Sequence, residues 1–134
     1  FDHFFSATII SLYDKNRNKK IENNENDLIQ NKAFTNLRNY NYFCSLKINT
    51  VNKPISNVTS FRASITGNKL VYSFRIPLGV KIKNNPQKIE FKYFDPTNYV
   101  TFVFSKKKYV IAGNSSTLLR VQVEQNGFLI SFKN

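Results

Sequence analysis

The stretch Asp14-Lys15-Asn16-Arg17-Asn18-Lys19-Lys20-Ile21-Glu22-Asn23-Asn24-Glu25 decides how this chain is read. Oxygen-bearing side chains stand at its first, third, fifth, ninth and twelfth positions and an aliphatic residue at its eighth, which is the ligand spacing of an EF-hand calcium loop. Calcium takes about six to eight hard oxygen ligands, so a short loop must offer carboxylates and amides at alternating positions, a carbonyl at the seventh and a bidentate Glu at the twelfth. Asp14, Asn16, Asn18, Glu22 and Glu25 suit the side-chain roles, and Lys20 suits the carbonyl.

Two features of the loop oppose a tight site. Its sixth position, where Gly normally makes the turn, is Lys19, and left-handed backbone is strained for a residue with a Cβ. Lys15, Arg17, Lys19 and Lys20 outnumber Asp14, Glu22 and Glu25, so the loop carries a net charge of plus one before any metal arrives. Affinity is then expected at the weak end for calcium, roughly 10⁻⁴ to 10⁻³ M. Two readings stand side by side: Ca²⁺ as a weakly held cofactor, or a metal-free loop that still shapes a helix–loop–helix corner.

The flanks fit a helix–loop–helix. Phe1, Phe4, Phe5, Thr8, Ile9 and Leu12 fall on one helical face ahead of the loop. Behind it, a second helix is expected from Asp27 to Tyr42, with Leu28, Ile29, Ala33, Leu37 and Tyr40 at helical spacing and Phe34 widening the stripe. Ile21 would normally form a bridge with a paired loop, but no second loop of this spacing follows.

The rest reads as short strands. Cys44 to Thr50 alternates Cys44, Leu46 and Ile48 against polar residues, followed by a turn at Asn52-Lys53-Pro54. Val58 to Ile65 and Leu70 to Ile76 form a hairpin through Gly67-Asn68. Ile89 to Phe94, Tyr99 to Phe104 and Tyr109 to Ala112 add strands, and Leu118 to Glu124 pairs with Phe128 to Phe132 around Gln125-Asn126-Gly127. The fold class expected is α+β: an N-terminal EF-hand-like helix–loop–helix, residues 1–43, packed on an antiparallel β-sheet or sandwich, residues 44–134, in a single domain of 134 residues.

Composition limits the function classes. Much of the complement of thirteen Phe sits at alternating strand positions and on the first helix, where it reads as core; seven Tyr complete the aromatic supply. The joint abundance of Asn, Lys, Ile and Phe matches a codon bias toward A and T, which makes the net charge of +12 a poor guide to partners. The basic residues are scattered apart from the loop and the run Lys106-Lys107-Lys108, and no helix-turn-helix, aromatic RNA-binding strand or glycine-rich phosphate cradle occurs. No nucleic acid is expected as a partner. His3 is the one histidine and Cys44 the one cysteine, so every metallohydrolase, Cys-His or Ser-His-Asp arrangement would hang on single residues. His3 reads as a partly buried structural residue and Cys44 as a small core residue; the protein is read as not an enzyme. No apolar run approaches a transmembrane segment, and no signal peptide stands in these residues.

The order of motifs resembles a known family. Phe1-Asp2-His3-Phe4-Phe5-Ser6, the loop Asp14 to Glu25, Ala33-Phe34-Thr35-Asn36-Leu37 with Tyr40, Tyr42 and Phe43, Asn52-Lys53-Pro54, Lys69-Leu70-Val71-Tyr72-Ser73-Phe74 and Tyr93-Phe94-Asp95-Pro96-Thr97-Asn98-Tyr99 are similar to the bacterial domain-of-unknown-function family described as the periplasmic component of an uncharacterised ABC-type transport system. The resemblance implies an exported, periplasmic protein, encoded in many relatives beside nickel, cobalt or zinc transport components, with a membrane metal transporter as partner. It also implies a His-Pro-His segment and strands ahead of the Phe-Asp helix, so an N-terminal segment is expected to be missing from this chain. Two functions compete on this basis. One is a non-catalytic accessory protein for metal-ion transport with a calcium-type loop; the other is a basic interaction module that meets an acidic protein partner or anionic surface with the loop metal-free.

Overall fold

The computed structural model describes residues 1–79, 87–95, 100, 118–124 and 126–133. They form an α+β structure with antiparallel sheets, divided between two compact units that the chain visits alternately. The first unit holds helices α1 (His3–Tyr13) and α2 (Asn23–Lys32), a 3₁₀ segment (Phe34–Phe43, of which Phe43 opens the second unit) and a two-stranded hairpin. The second unit holds a five-stranded sheet. In chain order the strands are β1 (Cys44–Ile48), β2 (Val51–Lys53), β3 (Thr59–Thr66), β4 (Lys69–Arg75), β5 (Gln87–Tyr93), β6 (Leu118–Glu124) and β7 (Gly127–Lys133). The hairpin β3–β4 thus goes with the helices, and the sheet runs β2-β1-β5-β7-β6.

In the first unit α1 packs on β4 and α2 on β3. Helix α1 starts because Asp2 caps it, its carboxylate accepting the Phe5 N–H at 2.7 Å. Its buried face overlaps the one its apolar spacing predicts only in part, through Ile9 and the half-buried Phe1 and Phe5. Phe4 is 84% exposed and Leu12 52%, whereas Ser6 and Ile9 are buried. Ser6 goes inward because its hydroxyl oxygen accepts the Leu70 N–H at 3.1 Å, and a buried amide without that partner would be costly. The half-buried Phe1 ring joins the same face by stacking on Phe5 at 4.6 Å and meeting Tyr72 edge-on at 4.7 Å. His3 is exposed, which corrects its reading as a partly buried structural residue.

Helix α2 is shorter than its spacing predicts. It ends at Lys32, because Thr35 Oγ lies 2.7 and 2.8 Å from the Gln30 and Asn31 carbonyls and Asn36 Nδ2 donates to the Lys32 carbonyl at 3.1 Å. Side chains thereby take carbonyls that a continuing helix would have bonded. The chain tightens to a 3₁₀ segment and then turns through left-handed Asn41 and Tyr42, with φ of 51° and 54°. Asn41 Oδ1 accepts the Ile55 N–H at 2.7 Å, fixing the point at which the chain re-enters this unit. On the other side of α2, Asn26 Oδ1 accepts the N–H of the buried Ala63 at 2.8 Å, so each helix is pinned to the hairpin by one buried polar side chain.

The core of this unit is aromatic. Phe34, 2% exposed, lies with its ring 4.1 Å from Phe61, 5.2 Å from Phe74, 5.3 Å from Tyr42 and 5.8 Å from Tyr72. The predicted turn at Gly67-Asn68 joins β3 to β4, with Gly67 at φ +60°, where a Cβ would be strained.

In the second unit, Cys44, Leu46, Ile89 and Phe91 are buried on the paired strands β1 and β5, and Phe128 stacks on Phe91 at 5.3 Å. The turn after β1 is Asn49-Thr50 rather than Asn52-Lys53-Pro54. Its φ values of 49° and 71° are those of a two-residue hairpin turn, and Val51 already pairs with Ile48. The expected strands Tyr99 to Phe104 and Tyr109 to Ala112 and the run Lys106 to Lys108 lie outside the described residues, apart from Val100, which is in no strand.

Gly127 is a ladder residue and not the turn position that Asn126-Gly127 suggests, for it pairs with both Glu124 and Lys92. A Cβ there would stand 2.0 Å from the Phe91 carbonyl oxygen. On the strands beside it, Lys92 meets Glu124 at 3.4 Å and Glu90 at 3.3 Å. Gly127→Ala is expected to destabilise the protein by about 1–3 kcal/mol through this overpacking. Urea unfolding checks it, and a neutral substitution would show that β5 and β7 are not held this closely.

Candidate metal-binding loop

The segment Asp14–Glu25 leaves α1 at Asp14 and enters α2 through Glu22 and Glu25. Its terminal carboxylates are its most buried polar groups: Asp14 is 4% exposed and Glu25 2%. Backbone amides hold both. Asp14 Oδ1 accepts the Asn18 N–H at 3.1 Å and Oδ2 the Lys19 N–H at 2.9 Å. Glu25 Oε1 accepts the Lys15 N–H at 2.9 Å and Oε2 the Glu22 N–H at 3.0 Å. Lys15 follows Asp14 directly, so Glu25 ties the two ends of the segment together.

The amide side chains stiffen the middle. Asn16 Oδ1 accepts the Asn18 N–H at 3.1 Å, and Asn18 Oδ1 accepts the Lys20 N–H at 2.8 Å. Arg17 and Lys19 take φ of 56° and 60°, so Lys19 adopts at the sixth position the left-handed backbone that Gly usually supplies. The bonds to Asp14 and Asn18 on either side stabilise that conformation. Ile21, at the eighth position, is buried at 7% exposure.

Glu22 is placed differently from the other two acids. It caps α2, its side chain accepting the Glu25 N–H in a reciprocal capping box, and its Oε1 accepts from Asn18 Nδ2 at 3.1 Å. Among the described residues no group of three or more His, Cys, Asp or Glu side chains is gathered closely enough to hold a metal. Of the six positions singled out in the sequence, the bonds tie Asp14 to Asn18 and Glu25 to the loop's start, while Glu22 serves the helix end. The capping box was not legible in the sequence, because its signature has Ser, Thr, Asp or Asn at the N-cap and Glu22 stands there instead. The buried anchors Ser6 and Asn26 carried no local signal, since each is defined by an amide on the hairpin.

Other reactive groups are quiet. Burial pushes the Cys44 thiol up to about 12, so it is protonated at neutral pH, as a core cysteine should be. Among the described residues no helix is long and apolar enough to cross a membrane.

Comparison with known proteins agrees with the sequence pattern at the level of family. An uncharacterised 15.5 kDa protein from Spirochaeta aurantia, described by its position in the trpE 3' region, is 30% identical over 114 residues, which cover 81% of this chain and 80% of that protein. No solved structure matches the chain. Residues 1–125 match the model of a family described as "Protein of unknown function (DUF1007)", and the chain belongs to that family.

Proposed function

We propose that this protein is a non-catalytic, extracytoplasmic accessory to metal-ion transport whose loop Asp14–Glu25 takes up calcium weakly, in the manner of an EF-hand. One observation carries the loop reading: the first and twelfth residues of the segment are buried carboxylates, each oriented by two backbone amides around a left-handed sixth residue. An ionised carboxylate has about four lone-pair sites. Two on Asp14 and two on Glu25 are used by those amides, which leaves acceptor capacity on both for a cation. The Asn16 and Asn18 oxygens and the Lys20 carbonyl would complete an all-oxygen donor set suited to calcium, with Glu22 contributing through water. The extracytoplasmic location and the link to nickel, cobalt or zinc transport rest on the resemblance of the motif order, with a membrane transporter as the partner.

A second reading has its own support. Both carboxylate oxygens of Asp14 and Glu25, the side-chain oxygens of Asn16 and Asn18 and Oε1 of Glu22 already have hydrogen-bond donors within the loop, while Lys15, Arg17, Lys19 and Lys20 are exposed. A metal-free loop of this kind would present a basic surface to an acidic protein partner or anionic surface.

Calcium melting curves separate the two. At a Kd of roughly 10⁻⁴ to 10⁻³ M, about 10 mM calcium stabilises the folded state by about 1.4–2.7 kcal/mol. The midpoint should rise measurably, with magnesium doing less because it demands a tighter octahedral shell. Unchanged melting and no calorimetric heat at that concentration would leave the metal-free module as the function.

A further inference from the structure

We propose that a groove between α1, the loop and the β3–β4 turn binds a small organic anion, a carboxylate carried on an apolar body. The groove lies wholly within the first unit and encloses about 430 Å³, inside the range of about 300–1,000 Å³ typical of small-molecule sites. Ala7 and Ile10 of α1 and Ile65 of β3 give it an apolar wall, and Ser11 and Asn68 add hydrogen-bonding groups. Arg17 and Lys19 line the loop side, both exposed and both set by left-handed backbone.

Charge selects the ligand. Neither the Arg17 guanidinium nor the Lys19 ammonium enters an ion pair among the described residues. Asp14, the acidic residue in the lining, is 4% exposed, with its two oxygens turned to the Asn18 and Lys19 amides. The charges that face the groove are therefore cationic, and the planar guanidinium matches a carboxylate in two parallel hydrogen bonds. A bare inorganic anion would leave the apolar wall wet, and a neutral apolar molecule would leave the cations unused. An amphipathic carboxylate uses both. None of these features depends on a metal in the loop.

Titration of the ¹⁵N-labelled protein with sodium octanoate in EDTA, followed in amide correlation spectra, tests this apart from calcium binding. A ligand of this size should bind with Kd on the order of 1 mM, shifting the amides of Ser11, Arg17, Lys19 and Asn68. Octanol and inorganic phosphate should each bind at least about tenfold more weakly, since each lacks one of the two contacts. The double variant Arg17→Gln/Lys19→Gln should lose octanoate affinity at least about tenfold. Ala7→Phe, at an exposed helix position, should block the groove while the melting temperature stays near that of the parent. Equal affinity for octanoate and octanol, shifts confined to other surfaces, or undiminished binding by both variants would overturn the assignment.

Discussion

Phe34→Ala should destabilise the protein by about 3–5 kcal/mol, the usual range for deleting a buried aromatic ring. Phe34 is 2% exposed, and its ring approaches four others, from the 3₁₀ segment, β3 and β4. Truncation would remove their common contact at once, and residues in such fixed elements collapse poorly into the space. For a chain of this size the melting temperature should fall by roughly 10–20 °C. Phe34→Leu keeps most of the volume and should lose less, about 1.5–3 kcal/mol. Urea unfolding reads both, and a loss below about 1 kcal/mol for Phe34→Ala would mean that this cluster is not what holds the helices to the hairpin.

The reason Phe34 acts in this way marks the boundary of what sequence pattern conveys. The β3–β4 hairpin was legible because its signals are local: Gly67-Asn68 turns where expected, and the alternation of Leu70, Tyr72 and Phe74 follows the observed burial of β4. Helix ends and faces were less so. The apolar spacing through Tyr42 continues past Lys32, but Thr35 and Asn36 capture α2 carbonyls, a competition that periodicity does not register. Helix α1 is rotated relative to its apolar stripe because Ser6 satisfies an amide on β4, which is a tertiary demand. The same holds for Asn49-Thr50, where a β-branched residue takes positive φ against its own preference so that Ile48 can meet Val51. In the loop, the spacing singled out Asp14 and Glu25 as calcium ligands, while their burial and their amide partners came only with the fold.

Glu25 is where stability and ion binding can be told apart. In calcium-free buffer Glu25→Ala should cost about 3 kcal/mol, because it strips charged acceptors from the Lys15 and Glu22 amides in a nearly dry site, at about 1.5–3 kcal/mol for each charge-assisted bond. The α2 N-terminus would also lose half of its capping box. Glu25→Gln keeps one carbonyl oxygen and should cost roughly half as much, since its NH₂ group would face an amide donor instead of accepting from it. Its effect on calcium should be larger than its effect on folding. A bidentate carboxylate becomes at best a single neutral ligand, so the calcium-dependent rise in melting temperature should vanish in Glu25→Gln yet survive in Asn18→Ala, where water can replace one neutral oxygen. Melting each variant with EDTA and with about 10 mM calcium gives both numbers, at a concentration above the weak-site range. If Glu25→Gln retains the full calcium response, Glu25 is not a ligand. If Glu25→Ala costs less than about 1 kcal/mol in EDTA, the tie between the two ends of the loop contributes little to the fold.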